Sequence, residues 1–88
     1  MEIEIKKSFT KDIDKIRDKK ILNTINDIIV QIEKSSMLKE VKLIKKLEGS
    51  KKHHQIKIGD YRFGLFVEGD IIHLVRFLHR KEIYRYVL

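Results

Sequence analysis

The stretch QIKIGDYRFGLFVEGDIIHLVRFL, residues 55–78, decides how this chain of 88 residues folds. Its first four residues alternate between polar and apolar side chains, as in a strand with one buried face. Two runs rich in aromatic and β-branched residues follow, over residues 61–67 and 71–78, and short connections with a glycine and an aspartate separate the three segments. Because such short connections join neighbouring antiparallel strands, we predict a three-stranded meander.

The start of the chain predicts another strand and a first helix. Residues 1–7 alternate Met or Ile with Glu or Lys, which indicates a strand with one buried face. Thr10 is expected to cap the helix that follows, because its hydroxyl can accept a hydrogen bond from a first-turn N–H. Asp12 and Asp14 then lie in the first turn, where the positive end of the helix dipole favours acids.

A second helix gives the clearest periodic signal. Six apolar residues within residues 21–32 recur at the i, i+3, i+4 spacing of a helix, and five of them are isoleucine. We place a turn at residues 18–20 before this helix and its end at Ser35-Ser36. Because isoleucine has a low helix propensity, packing on a sheet must hold the helix.

The order of these elements predicts the fold class. The order is β-α-α-β-β-β, with residues 37–49 fitting neither period and residues 49–52 forming a loop. Two helices followed by a run of strands indicate an α+β fold, in which two antiparallel helices pack on one face of a mainly antiparallel sheet. The length fits a single domain over residues 1–88.

The composition restricts the compartment and the class of partner. The chain carries 20 Lys+Arg against 13 Asp+Glu, a formal net charge of +7, which favours polyanionic partners: nucleic acid, an anionic membrane or an acidic protein. It contains no cysteine, so disulfides and thiolate metal sites are excluded. A charged start and the lack of an apolar run of about 20 residues argue against a signal peptide and a membrane span. We therefore expect a cytoplasmic protein.

Most of the chemically active side chains lie in residues 51–88. This part holds four of the five arginines, all four histidines and six of the seven aromatic residues. If the helices cover one face of the sheet, the opposite face can gather four cations: Lys57, Arg62, Arg76 and Arg80. Cations held close together repel one another unless an anion binds between them. The alternative is that they project into solvent as ordinary surface charge.

Other site chemistry finds little support in the sequence. His53 and His54 are adjacent, so their rings face opposite sides of a strand, and this is a weak metal signal. The acids of residues 51–88 fall mostly in turns, which disfavours catalysis by paired carboxylates. No glycine-rich phosphate loop is present. We expect neither a metal nor a cofactor.

Two motifs carry a resemblance to a known family. Residues 57–62 read KIGDYR and residues 75–85 read VRFLHRKEIYR. At this spacing, behind a β-α-α-β-β-β order, they resemble the RelE/ParE superfamily, the toxin components of type II toxin–antitoxin systems. The resemblance covers essentially the whole chain, and the sequence is more similar to the RelE-like branch of messenger-RNA cutters than to the gyrase-poisoning ParE branch.

The resemblance implies an activity and a set of site residues. RelE-like members enter the ribosomal A site and cut mRNA without a metal, by attack of a 2′-hydroxyl on the adjacent phosphate. The motif positions implied as catalytic are Lys57, Arg62, Arg80 and Tyr84. Lys57 then acts as a base or stabilises charge, and Arg62 binds the phosphate oxygens. Arg80, or His79 beside it, serves the leaving 5′-oxygen.

Tyr84 is expected to stack on or orient a nucleotide, although its ring can instead pack under the C-terminal tail. The positions expected to contact RNA around the catalytic set are Gln55, Arg76, His79 and Lys81. Gln55 stands where such cutters often carry a second basic residue. Only four residues follow Tyr84, and we expect no room for the C-terminal helix that some members carry.

The expected partners are a cognate antitoxin with acidic and apolar residues, the ribosome and mRNA, with DNA reached only through the antitoxin and no membrane contact. Two alternatives stay open. In the first alternative the chain is a ParE-like inhibitor of DNA gyrase. In the second it is a non-enzymatic member that binds only antitoxin or RNA.

Overall fold

The computed structural model describes residues 1–37, 40–41, 44–46 and 52–87, and within these ranges it describes every side chain except those of 45–46 and 84–87. The predicted loop over residues 49–52 therefore lies outside the described residues apart from Lys52. The predicted role of the Tyr84 side chain lies outside them as well.

The described elements confirm the α+β fold and its β-α-α-β-β-β order, with two additions. Five strands form one sheet in the order β1-β5-β4-β3-β2, in which only the β1–β5 pair is parallel. The additions are β2, within the segment that fitted neither period, and α3 at the end of the chain. In chain order the elements are β1 (Glu2–Ile5), α1 (Lys7–Asp14), α2 (Lys19–Lys34), β2 (Ile44–Lys46), β3 (His53–Ile58), β4 (Tyr61–Glu68), β5 (Ile71–His79) and α3 (Arg80–Val87).

The meander β3-β4-β5 turns at two glycines. Gly59 and Gly69 have φ values of 55° and 58°, in the left-handed region that glycine enters without a Cβ clash. Each is followed by an aspartate, and the two residues close each hairpin. The predicted meander is therefore confirmed. Its two turns need glycine because the backbone there adopts a positive φ.

One face of the sheet builds the core with the first two helices. Ile56, Phe63 and Phe77 are aligned across β3, β4 and β5, and none is more than 2% exposed. Phe9 of α1 reaches both aromatic rings, at centroid distances of 5.4 Å to Phe63 and 6.4 Å to Phe77. The isoleucine stripe of α2 supplies the rest of this cluster through Ile25, Ile28 and Ile32.

Helix α1 begins at Lys7, so the expectation that Thr10 caps it was wrong. The backbone N–H of Lys6 donates to the Leu74 carbonyl at 3.0 Å, and the chain turns from strand to helix at that point. This early start carries Phe9 into the core. It also moves Asp12 out of the first turn and into a buried position, 5% exposed.

Asp12 completes an edge of the sheet that β1 leaves open. Strand β1 pairs with β5 only as far as Leu74, whereas β5 continues to His79. The Asp12 carboxylate accepts from the Phe77 backbone N–H at 2.9 Å and from two Arg76 nitrogens, at 2.8 and 3.0 Å. A side chain thus takes the place that a neighbouring strand would fill, since a buried N–H needs an acceptor.

Helix α2 ends where the sequence predicts, but it begins earlier than predicted, at Lys19. The Asp18 carboxylate caps it by accepting from the Lys20 N–H at 2.8 Å, so the predicted turn at residues 18–20 is the cap and first residues of the helix. The helix ends at Lys34 with Ser35 as its C-terminal cap.

Helix α3 corrects the expectation that no C-terminal helix fits. Residues Arg80–Val87 form two turns, and Ile83 is fully buried against Leu78. Leu78 alternates with the core residue Phe77, so α3 packs on the face of the sheet opposite α1 and α2.

Candidate nucleic-acid interface

Two predicted cations face each other beside the first hairpin turn. Lys57 of β3 lies directly opposite Arg62 of β4, and Arg62 lies opposite Leu78 of β5. Residues opposite one another in a sheet share a face, so both cations lie on the face of α3, away from the core. This confirms the predicted separation of Lys57 and Arg62 from the apolar face.

Arg62 is held by the turn itself. Its Nη1 donates to the Gly59 carbonyl at 2.7 Å and to the Tyr61 carbonyl at 2.8 Å. A guanidinium has five N–H donors in a plane, so Nε and Nη2 are left to bind an anion. The short hairpin thereby fixes the position of the guanidinium while leaving part of its donor set uncommitted.

Arg80 reaches the same turn through its backbone. It is the first residue of α3, and its N–H donates to the Asp60 carbonyl at 2.8 Å. Lys57 and Arg62 flank residues 59–60, and the Arg80 backbone is bonded to Asp60; we call these three residues the turn cluster. Among the described residues, none of them has a carboxylate within salt-bridge distance. Unpaired cations at one place favour a polyanion such as an RNA backbone.

His79 and Lys81 lie at the start of α3. The Lys81 backbone N–H donates to His79 Nδ1 at 3.2 Å, so that the imidazole caps the helix. His79 is paired with Tyr61, and its ring lies edge-on to the Tyr61 ring, 6.0 Å away. The Lys81 side chain is exposed.

Gln55 lies on the same strand face as Lys57, two residues before it. It is only 7% exposed, and its Oε1 atom has no hydrogen-bond partner. A buried amide oxygen without a donor is unfavourable by about 1–3 kcal/mol. Because the atom is buried, the structure does not present it to a ligand on the face of the turn cluster.

The structure does not bring Arg76 to the turn cluster. Its guanidinium makes the two hydrogen bonds to Asp12, at the edge of β5 beside α1. Tyr84 lies within α3, one residue after the buried Ile83.

The remaining histidines gather no ligand set. The ring of His54 is buried, and its Nδ1 lies 3.0 Å from the Lys52 carbonyl. His73 is 8% exposed, with neither ring nitrogen hydrogen-bonded. Within the part of the chain that the structure describes, no three His, Cys, Asp or Glu side chains are grouped to hold a metal ion. No described helix is both long and apolar enough to cross a bilayer.

Two features that decide the surroundings of the site were missed at the level of sequence. The Asp12–Arg76 pair joins residues 64 positions apart, and no local pattern signals it. The histidine cap had a weak signal, since His79 directly precedes a segment with an acid at its third position, Glu82.

Comparisons with known proteins identify the family of the chain. Residues 3–84 match the family of the ParE toxin of the parDE type II toxin–antitoxin system. The chain is 39% identical over 87 residues to Toxin RelE3 of Methanocaldococcus jannaschii, which covers 98% of both chains.

Two solved structures extend the likeness. One is the RelB–RelE antitoxin–toxin complex from Methanococcus jannaschii, at 38% identity and a TM-score of 0.77, covering 93% of this chain and 95% of that one. The other is a copper-bound mutant toxin from Helicobacter pylori, at 25% identity and a TM-score of 0.63, covering 93% and 97%. The chain is thus the toxin of a type II toxin–antitoxin system and belongs to the ParE toxin family, within the RelE/ParE superfamily that its two motifs resemble.

Proposed function

We propose that this toxin is an endoribonuclease that cuts mRNA on the ribosome. The observation that carries the proposal is the turn cluster, in which Lys57 and Arg62 oppose each other and the Arg80 backbone is bonded to the turn between their strands. The negative charge of a phosphate increases in the transition state of its cleavage, and donors fixed in advance are well suited to stabilise it.

The proposed reaction uses only the chain, its substrate and water. The 2′-oxygen attacks phosphorus while the bond from phosphorus to the 5′-oxygen breaks, giving a cyclic phosphate and a free 5′-hydroxyl. Arg62 binds the non-bridging oxygens through its uncommitted donors. Lys57 takes the proton of the 2′-hydroxyl or stabilises the charge there. Arg80 stabilises the charge on the leaving 5′-oxygen, which takes a proton from water to become the hydroxyl. Tyr84 orients the nucleotide, and Gln55 and Lys81 remain predicted RNA contacts. Arg76 is left out of the proposed contacts, because its guanidinium is bonded to Asp12.

We assign the toxin a cognate antitoxin as its protein partner and the cytoplasm as its compartment. The support is the RelB–RelE complex that the chain resembles at 38% identity. The net charge of +7 suits both an acidic antitoxin segment and ribosome-bound RNA. Contact with DNA is then made by the antitoxin.

The test is induction of the toxin in cells, followed by mapping of transcript 5′ ends. The wild type is expected to produce cuts inside reading frames, and Arg62→Ala and Arg80→Ala are expected to produce none. Arg17→Ala is the matched control, because Arg17 is an exposed arginine in the connection between α1 and α2. Growth arrest with intact transcripts contradicts the proposal.

A second candidate is inhibition of DNA gyrase, favoured by the ParE description of the matching family. It predicts growth arrest with DNA damage and intact mRNA, and inhibition of purified gyrase by the toxin. If the wild type causes no arrest, the chain is instead a binding member without this chemistry.

A further inference from the structure

The side chain of His79 lies on the other face of the sheet from the turn cluster. Tyr61 is stacked on the core ring Phe77, at 5.2 Å and an interplanar angle of 6°. Because His79 is paired with Tyr61 and its ring contacts the Tyr61 ring, the imidazole belongs to this core side. Lys57 and Arg62 lie on the opposite face. A phosphate bound by those two cations is therefore separated from the imidazole by the sheet.

The imidazole already has a task on its own side. Its Nδ1 accepts the Lys81 backbone N–H at 3.2 Å, so this nitrogen carries no proton and Nε2–H is the donor of the neutral ring. His79 is the last strand residue before α3, which is the position of an N-cap. Together with the bond from Arg80 N–H to the Asp60 carbonyl, the cap fixes the first two N–H groups of the helix.

The start of α3 needs such a cap more than most helices do. Its first two residues, Arg80 and Lys81, are both cations, and the positive end of the helix dipole disfavours them. Glu82 at the third position offsets only part of this. With eight residues, the helix is too short to be stable from propensity alone. The orientation of Arg80 therefore depends on the hydrogen bonds that begin the helix and on the Ile83–Leu78 contact that follows.

We propose that His79 is a positioning residue, whose imidazole caps α3 and thereby holds Arg80 beside Lys57 and Arg62. It transfers no proton in the reaction and does not contact the phosphate. This inference rests on the proposed ribonuclease function and replaces the direct RNA contact that the sequence predicted for His79.

The test compares His79→Ala with His79→Asn on purified ribosomes programmed with a defined mRNA. Asparagine is a good N-cap but cannot act as an acid, so it separates the two roles. We expect the alanine variant to cleave roughly fivefold to thirtyfold more slowly, and the asparagine variant to stay within about threefold of the wild type. If His79 were a general acid, both variants would lose about 100-fold or more. An equal loss in both, or no loss in either, overturns the proposal.

Amide exchange at Lys81 provides a readout that is independent of cleavage. Protection of this N–H is expected to fall in His79→Ala and to return in His79→Asn, with the core strands equally protected in all three proteins. The ¹⁵N shifts of His79 in the wild type should show an unprotonated Nδ1 and a protonated Nε2. An unprotected Lys81 amide in the wild type, or a His79 ring protonated at Nδ1 and not at Nε2, overturns the proposal that His79 caps α3.

An Arg80→Ala background separates failure of the inference from failure of the proposed function. Because His79 acts through Arg80, adding His79→Ala to Arg80→Ala is expected to change residual cleavage by less than about twofold. A further large loss overturns the positioning role while leaving the ribonuclease function in place. Full cleavage by Arg80→Ala alone contradicts the proposed site, and the inference falls with it.

Discussion

Arg62 and Arg76 lie on neighbouring strands of one sheet, yet their surroundings are opposite in kind. Arg62 donates only to carbonyl oxygens of its own turn and stands with Lys57 and Arg80, without a described acid to neutralise it. Arg76 makes a two-bond contact with Asp12, a carboxylate that is almost fully buried. The first arrangement favours an external anion, whereas the second is already complete within the fold.

The comparison teaches that a cation's role follows from its tertiary partner more than from its place in a motif. Charged groups that are paired and buried contribute to folding, and removing one partner leaves the other desolvated. Charged groups left unpaired at a turn add little to stability and are available for binding. Substitutions at the two sites should therefore separate activity from stability.

The largest effect is expected on cleavage, at the turn cluster. Arg62→Ala removes the donors proposed for the phosphate oxygens and should lower the cleavage rate by about 100- to 1,000-fold. The free energy of unfolding should fall by no more than about 1 kcal/mol, because only two hydrogen bonds to turn carbonyls are lost. Single-turnover cleavage on programmed ribosomes and urea denaturation measure the two quantities. A large loss of stability with little loss of cleavage would mean that Arg62 serves folding and not binding, contrary to the comparison.

The largest effect on stability is expected at Asp12. Asp12→Ala removes the acceptor of the buried Phe77 N–H and of two Arg76 nitrogens, which should cost about 3 kcal/mol of unfolding free energy. Asp14→Ala is the control, since Asp14 is an exposed acid on the same helix and should change stability by less than about 0.5 kcal/mol.

Cleavage by the Asp12→Ala protein should remain near the wild-type rate wherever the protein is folded. If the Asp12 variant is as stable as the Asp14 variant, the carboxylate does not close the strand edge as described. A folded Asp12 variant without cleavage would instead connect Asp12 to the reaction.

A smaller effect is expected at the two hairpin glycines, which form a matched pair. Gly59 and Gly69 have nearly equal positive φ values, and a Cβ added at either would meet no other atom within 4 Å. Alanine at either site should therefore destabilise the protein by about 1 kcal/mol through backbone strain alone. Only Gly59→Ala should also slow cleavage, because its turn holds Arg62 and Arg80. Equal cleavage rates in the two variants would mean that the turn at Gly59 does not position Arg62 and Arg80 for cleavage.

Local patterns were sufficient where the structure depends on near neighbours. The apolar isoleucine face of α2 and the meander could be predicted, because residues close together in the sequence determine both a helix face and a two-residue turn. The Lys57–Arg62 pair belongs here too, since both residues flank the same turn and period-2 alternation places them on one face.

Prediction failed where distant residues decide the outcome. Alternation along β5 places Arg76 on the face of Leu78, and the pairs Gly64–Arg76 and Arg62–Leu78 agree with it, but the guanidinium binds Asp12, which lies 64 positions away in the chain. Helix α3 has two turns and is held by its cap and by Ile83, so its sequence carries too little periodicity to indicate it. Strand β2 has only three residues and pairs with β3 within a segment that shows neither period.

The smallest effect is expected at an exposed ion pair, which completes the comparison with the buried one. The Lys6 ammonium donates to Glu4 Oε1 at 2.7 Å and lowers the pKa of the Glu4 carboxyl below its ordinary value of 4.5, with a smaller contribution from His73. Since the folded pKa is the lower one, this contribution to stability is present above the unfolded pKa and is lost as pH falls through the folded pKa. Water and salt screen a pair this exposed.

An NMR titration of Glu4 should therefore show the lowered pKa at low ionic strength and a return toward the ordinary value in about 1 M salt or in Lys6→Gln. A pKa that stays low under both conditions would mean that a group other than Lys6, such as His73 with its Nδ1 3.5 Å from Glu4 Oε2, stabilises the carboxylate.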